Sequence, residues 1–410
     1  MRERSVTEVI NWLVVVLAFS VPLYRAWVSL AAFLILVLWF FQGDLQRRLA
    51  ALGRHRLTLA ILVFISLNLV SLAWSEDPIN GFEYWRKYLY LLLTPAIASS
   101  LTPQFVRRSL IAFLTGTALS VLLMPVVILA DIHFRHIHPG NPAATMSHLD
   151  YSMVLSVAAL LVLVCLVYEN GSLATRTWWI LLFVLIIGGL LVNIGRSGQL
   201  AFIGTVVILV PLLLHRRPVW VRVAVMTGIA VTLIVAYLVV TPFHDRVDAA
   251  VVELRDVVIE HRIDTNQGKR VAGMEVGLEI VRDHPLFGTG IGGNMPEFRR
   301  LLDTEFPQYR EAVGWYPHLH NQYLQVATEL GLLGLGSLLA LFAALFAGRY
   351  RHPEIRAAAI ALGFAYLIGF MGDPFLHKQL PLVLFALSSG VISSDDEVFW
   401  SRSQQLSVDS

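Results

Sequence analysis

The stretch of this chain best suited to chemistry is Pro317-His318-Leu319-His320-Asn321-Gln322-Tyr323, followed by Glu329-Leu330-Gly331-Leu332-Leu333-Gly334. A His-Asn pair stands where an apolar helix begins, and nine residues after it comes a Gly-x-x-Gly. The positive end of a helix dipole disfavours an imidazolium. A neutral imidazole can accept a proton, and a base that works near pH 7 is what activation of a hydroxyl requires. The glycines predict a close approach by another helix. A lone histidine at a helix start also has a blander use, as an interfacial cap, so residue type alone does not decide between the two.

Other groupings are less suited to a site. His133, His136 and His138 suggest a metal site at first sight, but their spacing is irregular and Asp131 is the acid beside them. No Asp-x-Asp pair of the metal-dependent glycosyltransferase kind stands out in an outer loop, so neither metal nor cofactor is expected. Gly288-Thr289-Gly290-Ile291-Gly292-Gly293 is superficially like a nucleotide loop. No βαβ unit surrounds it, so a flexible turn over the site is expected instead. The single cysteine, Cys165, lies in an apolar run and permits no internal disulfide.

The elements that must position His320 are membrane helices. Charged residues make up 15% of the chain, against about 25% in a soluble domain, so the bilayer must solvate most of it. The mean hydropathy of +0.67 agrees. The net charge of +2 gives nucleic-acid binding no support. Spans of roughly 20 apolar residues are expected near 9–24, 28–42, 56–74, 87–100, 108–131, 151–169, 178–194, 198–215, 219–241, 322–347, 354–371 and 378–393, about twelve in all. The pair around Gly195-Arg196-Ser197-Gly198 reads as a hairpin or one broken helix. No small-residue cleavage site follows the first apolar run, so a cleaved signal is not expected.

Lysine and arginine orient the bundle. With the N-terminus inside, sixteen of them fall in inner segments and six in short outer ones (Arg25, Arg86, Lys87, Arg135, Arg196 and Lys378). Both termini are therefore expected in the cytoplasm. The layout is residues 1–241 with nine spans, an outer loop subdomain over 242–319, three spans over 320–393, and a disordered inner tail over 394–410. The long loop carries two amphipathic patterns. Val247, Val251, Leu254 and Val258 share one face of Arg246–Arg262, and Val271, Met274, Leu278 and Val281 share one of Arg270–His284. Such helices lie on a membrane surface or over a cavity.

His320-Asn321 with Gly331-x-x-Gly334 resembles the signature of the O-antigen ligase and polymerase superfamily. The preceding loop resembles it too, from Arg270 through Val281-Arg282-Asp283-His284-Pro285-Leu286-Phe287-Gly288 to Asn294. So does the layout of many helices with one large outer loop just before the His-bearing helix, over roughly residues 150–390. The resemblance implies an all-α polytopic membrane protein of GT-C-like kind in the bacterial inner membrane. It implies transfer of a glycan from undecaprenyl diphosphate to an acceptor hydroxyl at the periplasmic face. In the ligase branch the acceptor is the lipid A–core oligosaccharide; polymerases and protein-glycosylating relatives are the sister branches. A transporter of lipid-linked glycans is the reading from a different class, and it would need charged residues along a path through the bilayer.

Within that resemblance His320 is the implied base. Arg196 and Arg270 fall where the family's essential arginines are expected, and guanidinium forks suit a departing diphosphate. The glycines beside Arg196 would bring the diphosphate close to the backbone. A single displacement without a protein nucleophile inverts the anomeric centre, and charge neutralisation by arginine needs no metal. Lys87, or Arg86 beside it, matches a functional basic residue of the family; both also suit interfacial anchoring beside Trp85. Asp373 reads as an orienter of His320, a sugar contact or a loop cap. Asn321 belongs to the motif, and Trp315 and Tyr316 are candidates to stack on sugars.

Overall fold

A computed structural model describes residues 2–134, 137–139, 141–142, 146–169, 171–215, 217–239, 241–259 and 263–399. Secondary structure among them is helical apart from three isolated β-bridges. Helices α1 (Arg2–Ser20) and α2 (Arg25–Phe41) are followed by the short α3 (Leu45–Leu52), bent 114° from α2. Then come α4 (Arg56–Ser71), α5 (Pro78–Tyr88), α6 (Leu93–Ala98), α7 (Pro103–Leu129), α8 (His148–Tyr168), α9 (Leu173–Val192), α10 (Arg196–Leu213) and α11 (Val219–Val239). The long loop holds α12 (Thr241–Ile259), α13 (Asn266–Asp283), α14 (Asn294–Thr304) and α15 (Arg310–Val313), and the chain returns through α16 (Gln322–Phe346), α17 (Pro353–Gly369) and α18 (Gln379–Ser393).

The starts of these helices are written in the sequence. Proline occupies the first turn of α5, α7 and α17, where its missing N–H costs nothing. Ser147, Ser172, Thr265 and Asn321 each accept a backbone N–H with the side chain, capping α8, α9, α13 and α16.

Seven helices among the described residues are long and apolar enough to cross a membrane: α4 with its 3-10 extension to Trp74, then α7, α8, α9, α10, α11 and α16. An eighth is reached if the bent pair α2–α3 counts as one span, and α1 and α18 are shorter apolar helices. Their outward faces carry Leu30, Phe33, Trp178 and Leu181, each about 60% exposed. Apolar side chains at that density on one surface require lipid rather than water around them. The stretch near 87–100 is not one helix: a 3-10 turn over Leu89–Leu92 divides α5 from α6. α9 and α10 are two helices, so the Gly195-Arg196 segment is a tight connection.

The bundle core runs through α8, α10, α17 and α18. The loop has a small core of its own, in which Ala272, Val276, Ile280, Phe298, Leu301 and Leu302 meet Val313, Tyr316 and Leu319. Burying a side chain such as Phe298 contributes about 2–3 kcal/mol, so this subdomain is held mainly by α13, α14 and the segment leading to α16. The loop core takes a different face of α13 from the one that carries the large apolar residues. Val271, Met274 and Leu278 are exposed, while Ala272, Val276 and Ile280 are buried. The small Gly273 and Gly277 explain it, because they let Tyr316, Leu319 and Leu324 come within contact of the helix. In α12, Val247 is half-buried and Val251 exposed; the Leu254 and Val258 side chains lie outside the described residues. The tail begins ordered: Asp395 and Asp396 accept backbone N–H groups of Arg351, His352 and Arg349, and Phe399 is buried. Residues 400–410 lie outside the described residues.

The expected partner of the Gly-x-x-Gly is also corrected. Gly331 has φ +63 and breaks α16, and a Cβ there would strike the backbone of Leu286 at 2.3 Å. The approaching element is the loop, not a helix. Thr289 and Gly290 donate to the carbonyls of Thr328 and Glu329, while Leu332 donates to Pro285. The glycine-rich turn is thus wedged against α4 and the kink of α16, and its backbone hydrogen bonds fix it rather than leaving it a flexible cover.

Candidate active site

His320 precedes the N-cap of α16 by one residue. Asn321 Oδ1 accepts Leu324 N–H at 3.0 Å, so Asn321 is the cap and the imidazole beside it is free of that duty. The His320 backbone has φ +23. A side-chain residue held at positive φ costs of order 1–3 kcal/mol, so its surroundings must impose it. Leu319 N–H donates to Gln325 Oε1 at 2.9 Å, Gln322 N–H to Phe370 O at 2.9 Å, and Leu376 N–H to Gln322 Oε1 at 2.8 Å. These bonds lock the start of α16 to the loop between α17 and α18, the loop that carries Asp373.

Asp373 is fully buried and faces His320, with Oδ1 3.3 Å from Nδ1. Its other oxygen accepts from the Lys378 ammonium, which also lies 3.5 Å from Asp150 on α8. Burial alone would raise the Asp373 carboxyl, but the His320 hydrogen bond and the Lys378 charge outweigh it and bring it to about 2. Burial opposes the Lys378 charge, and Asp150 and Asp373 together still raise it. An ionised carboxylate only accepts, so Nδ1 carries the proton and Nε2 offers its lone pair. The chain imidazole–carboxylate–ammonium–carboxylate fixes ring and tautomer together. Tyr316 and His318 pack their rings edge-on against His320, with centroids 4.8 and 4.6 Å away.

The arginines stand around the same space. One cavity of about 410 Å³ is lined by Arg196 and Ser197 of α10, His148 of α8, Lys269 and Arg270 of α13, Trp315, Tyr316 and His320. Arg270 Nη1 donates to Gly372 O at 3.0 Å, next to Asp373. Arg196 Nη1 donates to Glu253 Oε2 of α12 at 2.8 Å. A base with an oriented lone pair and two guanidinium groups thus share one hollow, an arrangement able to take a proton from a hydroxyl while holding an anion.

Not every expected residue is there. Arg86 is exposed and Lys87 lies over the Tyr84 ring at 4.6 Å; neither lines this cavity. Burial, then the Arg25 charge, lowers the Lys87 ammonium. Gly195 and Gly198 are occupied by packing, since a Cβ on either would strike α8 at His148 O or the Ser152 backbone within 2.4 Å. They let α10 lie close on α8 and leave no backbone cradle for a diphosphate. His133 is exposed and pairs with Asp131, while His136 lies outside the described residues. Among the described residues, His318, His320 and Asp373 are the His/acid group whose ligand atoms converge, within 4.8 Å. By donor type they suit a divalent cation, yet the Lys378 ammonium already supplies the positive charge at Asp373.

Lys378, His148, Lys269 and Glu253 escaped the sequence reading. Lys378 entered it only as an orienting charge, and nothing local pairs it with Asp373. His318 was in the motif without a role. It is half-buried against the His320 ring, its Nδ1 has no partner, and desolvation lowers it to about 3 from 6.5. Between those values the unfolded chain binds a proton that the folded one refuses. His318 therefore leaves stability intact above pH 6.5 and erodes it as pH falls towards about 3, by at most about 1.4 kcal/mol per pH unit. His318→Gln should flatten that fall, read as Tm of the detergent-solubilised protein at about pH 7 and about pH 4.5. An undiminished fall in the variant would refute the assignment.

The family model described as O-antigen ligase matches residues 181–339. The O-antigen ligase of Escherichia coli (strain K12) is 26% identical over 146 residues, which is 35% of this chain and 34% of that protein. The match thus spans about a third of the curated relative. The matched residues include Arg196, Arg270 and His320; His148 of the cavity lining lies outside them, as do Asp373 and Lys378 behind His320. A glycosyl-transferring membrane enzyme is the class this family implies.

Proposed function

We propose that the chain is an O-antigen ligase, moving an undecaprenyl-diphosphate-linked glycan onto a hydroxyl of the lipid A–core oligosaccharide at the periplasmic face of the bacterial inner membrane. The supporting observation is the meeting of His320, Arg196 and Arg270, far apart in sequence, on one cavity. His320 Nε2 takes the acceptor's proton as the acceptor oxygen attacks the anomeric carbon. The bond from that carbon to the phosphate oxygen breaks, and undecaprenyl diphosphate leaves with its charge held by the two guanidinium groups. One displacement inverts the centre. Asp373 keeps the Nδ1 proton in place and stabilises the imidazolium that forms. The exposed Trp315 offers a face for a sugar ring at the entrance. About twelve spans with both termini cytoplasmic, in a GT-C-like layout, complete the reading. Lys87 and Arg86 are assigned to interfacial anchoring, because they stand apart from the cavity.

A transporter would need ionisable groups open to a path. Glu329 lies within α16, but it is fully buried and bonded to Gln325 at 2.9 Å and His377 at 3.2 Å, which closes it off. Purified protein in detergent, with no sealed compartment and with excess chelator, should transfer glycan from lipid diphosphate to lipid A–core. Absence of transfer would end the enzyme reading, and dependence on an added divalent cation would end the metal-free mechanism. Product on a second lipid-linked repeat instead of core would make it a polymerase.

A further inference from the structure

Arg196 does not face the cavity unpaired. Its Nη1 donates to Glu253 Oε2, and this contact joins α10 to α12 across 57 residues of sequence. The Arg196 side chain is 36% exposed and that of Glu253 is 17%. We propose that Glu253 is a resident competitor for the phosphate site: its carboxylate occupies Arg196 while the site is empty and is displaced when a diphosphate arrives. This rests on the diphosphate reading of Arg196.

The form of the contact argues for exchange. Arg300 and Glu297, one turn apart on α14, make two parallel bonds, from Nε and from Nη2, as a structural pair does. Arg196 gives Glu253 one nitrogen and keeps the remainder of its fork uncommitted to it. A partly exposed, single-bonded pair adds little to stability. A diphosphate carries more charge and presents paired oxygens that match the fork, so it outcompetes one carboxylate. Arg270 shows the contrast, since its Nη1 rests on the neutral carbonyl of Gly372 and needs no anion removed. Glu253 also stands on a helix that can yield. α12 packs along α11 and α13 and touches α9, and none of its described side chains belongs to the main bundle core or to the small loop core. When the leaving diphosphate must depart, the returning carboxylate neutralises Arg196 again, which favours release over retention. The device sets donor affinity without touching the reacting atoms.

The test uses the full chain in detergent with farnesyl diphosphate as probe, followed by titration calorimetry. Glu253→Gln should bind about tenfold more tightly than the native protein, because an opposing charge beside the phosphate is gone. Arg196→Gln should bind more weakly. Weaker binding in Arg196→Gln with unchanged or weaker binding in Glu253→Gln would overturn the competitor and leave the diphosphate reading standing. Unchanged binding in Arg196→Gln would sink that reading, and the competitor with it. Should Glu253→Gln fail to fold, Glu253→Asp, one methylene shorter, must shift affinity in the same direction by a smaller factor.

Discussion

Replacement of His320 by alanine should lower glycan transfer by about a hundredfold to ten-thousandfold, the range that a positioned general base supplies. The loss should fall on kcat, because the imidazole acts on the acceptor proton as the bond forms, while donor binding rests on Arg196 and Arg270. The groups touching the ring cannot stand in. His318 packs edge-on against it, and desolvation holds His318 near 3, too weak a base for a hydroxyl. Asp373 is buried behind the ring and engaged by Lys378. The fold should survive, since Asn321 caps α16 by itself and the Leu319–Gln325 and Gln322–Phe370 bonds do not involve the imidazole. Alanine keeps the backbone at φ +23 with a Cβ, so the strain of the site is unchanged by the replacement. The measurement is single-turnover transfer by purified protein, beside its Tm. Activity within threefold of native in a normally folded variant would remove His320 from the chemistry.

The bundle and the site were legible in the sequence to different depths. Apolar runs of span length reveal membrane helices because lipid leaves the backbone no other way to satisfy itself, and the helices of the structure lie where those runs are. What hydropathy leaves out is local. The run near 87–100 tightens into a 3-10 turn at Leu89–Leu92 between α5 and α6, a backbone choice that hydropathy does not encode. The face of α13 that joins the loop core leaves no hydrophobic signal of its own, because the glycines that admit Tyr316 and Leu324 carry none. His320 and the two arginines were singled out through the family resemblance, His320 by its motif and the arginines by their positions. Asp373 was seen without its partner. The Lys378 side chain meets it only because the turn over Phe375–His377 brings residues five apart together over Asp150, and an ion pair made by tertiary folding leaves no periodic trace.

Asp373→Asn should then cost about a hundredfold or more in kcat with donor KM little changed. The amide keeps the shape of the carboxylate and can still accept from Nδ1–H, so a purely steric role for Asp373 would survive the change. What it loses is the negative charge that faces the imidazolium formed when the acceptor gives up its proton. In the transition state that charge is worth more than in the resting enzyme, because the ring is neutral before the step and cationic after it. The amide can also turn its NH2 towards Nδ1, which favours the tautomer with the proton on Nε2 and leaves no base. A stability loss accompanies the change, since Lys378 keeps only Asp150 at 3.5 Å and is itself mostly buried. Breaking a buried pair costs about 3–5 kcal/mol when nothing remains, and less here. The two effects part experimentally. Asp373→Glu restores the charge at the wrong reach, so it should recover more of the stability than of the rate. A variant set in which kcat tracks the fraction of folded protein would reduce Asp373 to a structural residue; kcat falling in protein that remains folded assigns it to the positioning of His320.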